Sequence, residues 1–511
     1  MKTFLLFISL CLLFTTSCSH IGEKKSHQSP KEVPKTHPLD PDTSEIIDEI
    51  KKYIYSVQQV KSATLSNING EQRKKDVTFL RQFLPRSYGG YDYVKDQGFN
   101  WDSFFSNIEN IEPNQNLTTE EWQQSLATAL SGIQDSHFAV ISKDKNDSVK
   151  KWSQPGLKAN LAFTTDLIVD KKKKIISGGI GTISNCKNFK FDEILNPTIS
   201  TFSGDNLRPI VLAAKEPAPL TCIVHNLQGK SSLNTWNWRP LNKNNLEASK
   251  TDENIFSVSQ NESGLTLVKL SSLYAKDSDI WQNFIETAWK IRKSKIVILD
   301  LRGNQGGNSA PLLSWLQILR DALPDRTATF NQLNSAWTKV LLVNFFTHQL
   351  AYNIGDDPWQ EHCHVWRDKT LDDLRKINSS NIEDKSWDTY ITKPTELLNQ
   401  VPTTSNPPFA GKLIILTDRH CASACELGIK AMTGNENNII VGENTNGMAV
   451  IGENGEVVLP GSFMRIRWGQ WIEKDLSNGF EGYAEGSGFT PKYWVDFSKV
   501  SPEKIANYFI Q

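Results

Sequence analysis

Residues 296–307 limit what this chain can fold into more than any other stretch. They read Ile-Val-Ile-Leu-Asp-Leu-Arg-Gly-Asn-Gln-Gly-Gly. Four apolar residues in succession, closed by a polar turn, describe a strand covered on both faces, as in a parallel sheet packed between helices. Leu413-Ile414-Ile415-Leu416 repeats the pattern and leads into Cys421-Ala422-Ser423-Ala424-Cys425-Glu426. The first turn offers backbone N–H groups at Gly306 and Gly307, where the missing side chain lets the main chain approach a ligand. The second offers a hydroxyl, Ser423, at the start of a helix whose dipole favours developing negative charge. The N–H of Ala424 would lie beside it. A nucleophile and an oxyanion hole are what serine hydrolysis needs. Either turn alone has a plainer reading, because serine is a common helix cap and glycines end many strands. A phosphate loop is another option for the glycine turn, but the Gly-x-x-x-x-Gly-Lys pattern is missing.

The chain from residue 254 onward reads as α/β. Residues 265–270 form a strand, and residues 280–291 a helix carrying Trp281, Phe284, Ile285 and Trp289. Ser309 is placed to cap a helix with Pro311 in its first turn. Residues 439–441 make a strand, residues 457–459 and 464–466 a hairpin pair, and residues 502–510 a closing helix. Residues 324–408, rich in Trp and Asn, read as a helical insertion near the site. Upstream, Ile46, Ile47, Ile50, Ile54 and Val57 recur at helical spacing within residues 44–84. Thr118 followed by Glu121 is a capping box opening a helix lined by Trp122, Leu126, Leu130 and Ile133. That helix ends before Gln134-Asp135-Ser136-His137, and Phe138 begins a strand, so His137 sits at a helix-to-strand turn.

A chain of 511 residues is too long for one core. The expected organisation is an N-terminal helical subdomain at 44–143, a β-rich middle region at 144–253 and a core at 254–511 with its insertion at 324–408. Residues 1–18 read as an export signal: Lys2, an apolar run over 4–14, then Thr15-Thr16-Ser17-Cys18. The run is too short for a comfortable membrane span. Small residues directly before Cys18 resemble a bacterial lipobox, in which Cys18 becomes the lipid-bearing first residue; an ordinary cleaved signal is the alternative. Residues 19–43, rich in Lys, Pro, Ser and His, build no core and act as a tether. The formal net charge is −1, without the basic excess of a nucleic-acid surface.

Five cysteines follow Cys18, so at least one stays outside any intrachain pairing. Cys186 with Cys222 is a candidate bridge. His362-Cys363-His364 would present both imidazoles on one face of a strand. No second ligand motif accompanies it, so no metal is expected there.

Three segments together resemble a known family. They are Asp300-Leu301-Arg302-Gly303-Asn304-Gln305-Gly306-Gly307, then Ala422-Ser423-Ala424-Cys425-Glu426, then Gly442-Glu443-Asn444-Thr445-Asn446-Gly447. In this order and spacing they resemble the C-terminal processing (tail-specific) protease family over residues 254–495. The resemblance implies a ClpP/crotonase-like core, peptide hydrolysis by Ser423, and an oxyanion hole from the Gly306/Gly307 turn with the Ala424 N–H. The family pattern places a lysine directly after the last glycine as general base. This chain has Met448 there, and a thioether accepts no proton at ordinary pH.

The tricorn-like branch of that family uses a histidine instead, with a second serine and a glutamate. Asp135-Ser136-His137 and Glu485-Gly486-Ser487-Gly488-Phe489-Thr490-Pro491 resemble its motifs. The resemblance implies His137 as general base, Ser136 as an accessory hydroxyl and Glu485 as the orienting carboxylate. Lys492 stands where an Asp is usual, and Glu481 is the alternative to Glu485. An imidazole with an ordinary pKa of ~6.5 suits the task, and a nearby carboxylate fixes its tautomer. Outside this resemblance His137 reads as a capping or core histidine and Glu485 as a surface carboxylate. Cys421 and Cys425 stand where relatives carry small residues and read as small buried replacements; a Cys425 nucleophile is the sharper alternative. A PDZ domain would fall within 144–253, where only fragments such as Ser203-Gly204-Asp205 appear, so a diverged PDZ and an unrelated β-rich insert stay open.

The expectation is a mixed α/β protein acting as a serine endopeptidase without metal or nucleotide. It is exported, on the periplasmic side of a bacterial outer membrane as a lipoprotein through Cys18, or otherwise secreted or periplasmic. Its partners are a peptide or protein substrate and, through the anchor, a membrane; nucleic acid is not among them. The alternative is an inactive protease-fold protein that binds peptides or apolar ligands.

Overall fold

A computed structural model describes residues 65–510 apart from 144–148, 154–159, 203, 243–254, 262–263, 275–277, 323, 325, 340–341, 344–345, 347–356, 377–384 and 392–406. The signal-like segment, Cys18, the tether and the isoleucine-rich start of the first helix lie outside the described residues. The chain divides into two compact units. One comprises residues 1–157, 329–392 and 450–477; the other comprises 158–328, 393–449 and 478–511.

The second unit holds both turns of interest. Its sheet runs in the order Tyr493–Val495, Asn438–Gly442, Lys412–Thr417, Ile296–Asp300, Leu265–Leu270, each parallel to the next. Ile296–Asp300 is buried at every position, which is why its sequence lacks alternation. Ile296, Ile298, Ile414, Leu416, Ile439 and Val441 form one cluster with Val500, Ile505 and Ala506 at the closing helix Pro502–Ile510. Val297, Leu299 and Leu413 alternate with them and are equally inaccessible. The helices Ser278–Lys290 and Ala310–Arg320 meet through Phe284 and Trp315, stacked at 5.8 Å. Ser309 makes no capping bond; Asn308 takes the Ala310 N–H instead, at 2.9 Å. Asp300 pairs with Leu416 in the ladder, so two neighbouring parallel strands deliver their turns at the same carboxyl edge. That edge is where parallel sheets build ligand sites. The expected mixed α/β core is met in this unit.

The same sheet continues into the middle region. Leu195–Ile199 runs parallel to Tyr493–Val495 through Thr198 and Trp494, and Asn206–Ala213 and Leu161–Thr164 follow antiparallel. A separate three-stranded sheet of Thr182–Lys187, Leu220–His225 and Ser231–Trp236 sets Cys186 opposite Cys222, and the two are disulfide-bonded.

The first unit is built on a six-stranded sheet. Its path is Lys385–Ile391, Thr329–Ser335, Arg465–Glu473, Ala139–Lys143, Val149–Ser153, with Ile451–Val458 also paired to Arg465–Glu473. Helix Gly70–Ser87 opens with a capping box between Asn69 and Gln72. Helix Thr119–Ala129 has the expected Thr118/Glu121 box but stops four residues before Ile133, which lies in the turn after it. Residues 324–408 differ from the helical insertion expected. They supply the strands Thr329–Ser335 and Lys385–Ile391, paired to each other, besides the helix Asp357–Arg375. The strand Thr-Phe-Asn-Gln-Leu-Asn-Ser hides its pattern because only Phe330 and Leu333 give it apolar positions. His362-Cys363-His364 lies within the helix Asp357–Arg375, not on the strand expected. No helix among the described residues is long and apolar enough to cross a membrane.

Candidate active site

Ser423 occupies the junction between the strand Lys412–Thr417 and the helix Ala424–Met432, with φ 54° and ψ −119°. A residue with a Cβ held at such angles costs about 1–3 kcal/mol and persists only where its surroundings over-determine it. Strand-to-helix turns of this strained kind expose a nucleophilic serine in other hydrolases. Here the surroundings are explicit. The Ala422 N–H donates to the Asn304 carbonyl at 3.1 Å, and the Asn446 N–H to the Cys421 carbonyl at 2.9 Å. The Ser423 N–H donates to Glu426 at 3.2 Å.

Cys421 and Cys425 are joined in a disulfide across Ser423, which corrects their reading as small replacements. Cys421 lies two residues before the helix cap and Cys425 in the first helical turn, and the bend at Ser423 leaves their Cα atoms 5.5 Å apart, within bridging reach. A bridged Cys425 offers no thiolate, which removes the cysteine-nucleophile alternative.

The glycine turn is tied to this loop. Asp300 takes both the N–H and the guanidinium of Arg302, and Asn304 bonds the Leu270 carbonyl at 3.0 Å. Gly306 has φ 96°; a Cβ there would lie 2.6 Å from the Ala422 oxygen and 3.1 Å from the Ala424 nitrogen. Only glycine lets the two turns touch. The Gly306 N–H is already used, donating to Asn304 Oδ1 at 2.9 Å. Among the described residues the N–H groups of Gly307 and Ala424 make no hydrogen bond. They are therefore the donors free to receive an oxyanion.

Glu426 is the residue sequence reasoning left without a role. It is fully buried and accepts from the N–H of Ser423, the N–H of Met448 at 2.9 Å, the N–H of Gly447 at 2.7 Å and the Thr445 hydroxyl. Burial raises its carboxyl pKa, against these hydrogen bonds, which lower it. The signal was its place three residues after Ser423, at the start of a helix. Met448, half-buried, stands at the end of the loop that Glu426 holds. The loop is fixed further by Thr445, which takes the Phe489 N–H at 2.7 Å.

Glu485 is half-buried and accepts from the Tyr483 hydroxyl at 2.8 Å, whereas Glu481 is exposed. The same hydroxyl accepts the Ala449 N–H at 2.9 Å. Burial first, then the carboxylates of Glu485 and Glu426, hold the Tyr483 pKa well above its ordinary value, so it stays a donor. Tyr483 is a second residue that sequence reasoning missed, since a lone tyrosine two positions before a glutamate carries no signal.

His137 and Ser136 belong to the first unit, whereas Ser423, Ala424, Gly306, Gly307 and Glu485 belong to the second. Around His137, the buried Asp135 carboxylate accepts the Tyr88 hydroxyl at 2.9 Å and the His137 backbone N–H at 2.7 Å. His137 Nδ1 is buried without a hydrogen bond and lies 3.7 Å from Asp135 Oδ1. At that distance the two groups are in ion-pair contact but not hydrogen-bonded. Asp135 was legible only as part of the Asp-Ser-His motif, although an Asp two residues ahead commonly bonds the backbone in such a turn. No cluster of three or more metal-ligating side chains occurs among the described residues.

The family model "Peptidase family S41" matches residues 264–494. No curated protein matches the sequence. Among solved structures, mature CPAF complexed with lactacystin is 13% identical with TM-score 0.41, over 86% of this chain and 96% of that one. The photosystem II D1 C-terminal processing protease is 11% identical with TM-score 0.36, over 83% and 92%. Tricorn protease is 11% identical with TM-score 0.33, over 86% of this chain and 37% of that one. Likenesses of that size fix no residue's role.

Proposed function

We propose, from the premise that this chain is a member of peptidase family S41 through residues 264–494, that it is a serine endopeptidase with Ser423 as nucleophile and His137 as general base. Ser423 Oγ attacks the carbonyl carbon of a peptide bond as His137 takes its proton. The tetrahedral oxyanion is received by the N–H groups of Gly307 and Ala424. The intermediate collapses, the leaving amine takes the proton from His137, and water hydrolyses the acyl-enzyme by the same route. Glu485 orients the site, and Ser136 is an accessory hydroxyl. Each oxyanion donor is worth about 10²–10³ in turnover.

The observation that supports this reading most is the strained turn at Ser423, with φ 54°, beside two unbonded backbone donors. A serine that merely caps a helix needs no such conformation. Met448, where the family pattern has a lysine base, favours a second reading, an inactive fold that binds peptides or apolar ligands. We also carry forward the export signal ending at a lipid-attached Cys18, with residues 19–43 as its tether.

A fluorophosphonate probe separates the two readings. Wild-type protein should be labelled at Ser423, and labelling should vanish in Ser423→Ala and fall by about 10²-fold or more in His137→Ala. A folded wild-type chain that takes no label sinks the enzyme reading. Undiminished labelling of His137→Ala removes the histidine as base while leaving Ser423 in place.

A further inference from the structure

The disulfide between Cys421 and Cys425 takes no part in acyl transfer, yet it spans the nucleophile. Both cysteines are fully buried. Their sequence separation is 4, against 36 for Cys186 and Cys222. Closing so short a loop removes little entropy from the unfolded chain, so its effect on global stability is small. Its effect on the turn it encloses is direct. The ring contains Ala422, Ser423 and Ala424, that is, the strained nucleophile and the unbonded N–H beside it. Every hydrogen bond that holds this turn from outside reaches another segment: Ala422 to Asn304, Cys421 to Asn446. Within the turn the Cys425 N–H donates to the Ala422 carbonyl at 3.1 Å, and the bridge adds a covalent tie between Cys421 and Cys425.

We propose that the Cys421–Cys425 disulfide is a redox-sensitive clamp that positions Ser423 and the Ala424 N–H. In the oxidised chain the turn is locked at positive φ with the nucleophile presented. Reduction opens the ring and lets residue 423 relax toward an ordinary helix-cap conformation, which withdraws the hydroxyl from its attacking position. The reduction is a thiol–disulfide exchange. One thiolate of a dithiol reductant attacks a protein sulfur, the S–S bond breaks, and a mixed disulfide forms. The second reductant thiol displaces the remaining protein sulfur. Two electrons and two protons pass to Cys421 and Cys425, and the reductant leaves as its own disulfide. The clamp ties activity to an oxidising compartment and rests on the reading of Ser423 as nucleophile.

The test compares fluorophosphonate labelling rates of the full chain before and after dithiothreitol, with alkylation and peptide mass mapping to show which cysteines are reduced. Labelling should fall on the order of 10- to 100-fold once Cys421 and Cys425 are alkylated, since a displacement of about 1 Å carries that cost. It should recover on reoxidation. A Cys421→Ser/Cys425→Ser variant should show the low rate with or without reductant, at unchanged circular dichroism. A Cys186→Ala/Cys222→Ala variant should keep the response to reductant. Wild-type labelling rates in the folded Cys421→Ser/Cys425→Ser variant, or in protein mapped as reduced at both positions, overturn the clamp and leave the nucleophile standing. So does finding both thiols alkylated before any reductant is added. An oxidised chain that takes no label overturns the nucleophile reading instead.

Discussion

Glu426 accepts a hydrogen bond from the backbone N–H of Ser423 at 3.2 Å, and its two oxygens also collect Thr445, Gly447 and Met448. One buried carboxylate thus binds the Ser423 turn to the loop that ends at Met448. No side-chain cation is among these four partners; three backbone N–H groups and a hydroxyl solvate it.

Replacing Glu426 by Gln tests that relationship. Whichever way the amide is turned, its NH₂ group faces at least one backbone N–H, because Oε1 serves Gly447 and Oε2 serves Ser423 and Met448. A buried donor left unsatisfied costs about 1–3 kcal/mol. Urea unfolding of Glu426→Gln should show a loss in that range. Unchanged stability would mean that the carboxylate is not what holds the two loops.

Gly306→Ala should be worse than an ordinary surface substitution. The added Cβ would meet the Ala422 oxygen at 2.6 Å and sit 3.1 Å from the Ala424 nitrogen, at a φ of 96° that side chains avoid. The methyl group both pries the turns apart and crowds the Ala424 N–H. The rate of fluorophosphonate labelling should fall by about 10²-fold, the scale of losing one such donor. A wild-type rate would show that the turns do not approach as described.

Tyr483→Phe removes the hydroxyl that donates to Glu485 and accepts from Ala449. The ring still fills its place against Phe489, 4.9 Å away between centroids. Labelling should slow by about tenfold through a misplaced Glu485, with stability lowered by about 1–3 kcal/mol for the stranded Ala449 N–H. If stability falls but the labelling rate holds, Tyr483 is structural only.

The pH dependence of stability has a definite sign at Asp76. Burial pushes its carboxyl from 3.8 up to about 6, although Trp122, Gly461 and Ser462 all donate to it. Below about pH 4 both the folded and unfolded forms hold the proton. Between there and about 6 only the folded form does, so its contribution to stability falls as pH rises and levels off above that window. A displacement of this size corresponds to about 3 kcal/mol. Measured by urea unfolding, the stability of wild type relative to Asp76→Asn should decline by roughly that amount from pH 4 to pH 7. A difference that is flat with pH, or that grows, would contradict the burial of an ionisable Asp76.

Much of the site was written locally. The apolar run of Ile296–Asp300 and the run at 413–416 specified two buried strands, because such residues gain only when both faces are covered. The glycines at 306 and 307 announced a turn of positive φ, and Ser423 announced a helix start. Other features were not legible. The strand Thr329–Ser335 was read as part of a helical insertion, since its polar residues leave too little apolar periodicity to count. The bridging of Cys421 to Cys425 depends on the angle at which the chain enters the helix, and spacing alone does not state that.

By itself the sequence determined which residues form the central strands, where their turns fall and which hydroxyl stands at the helix start, because burial pattern and turn chemistry act between near neighbours in the chain. Only the tertiary structure decided which N–H groups stay free. Gly306 gives its own to Asn304, whereas Gly307 and Ala424 keep theirs. It likewise made Glu426 the acceptor for a loop about twenty residues away and Tyr483 the support of Glu485. Hydrogen-bond satisfaction is settled by which segments the packed sheet brings together, and a donor's partner need not be near it in the chain.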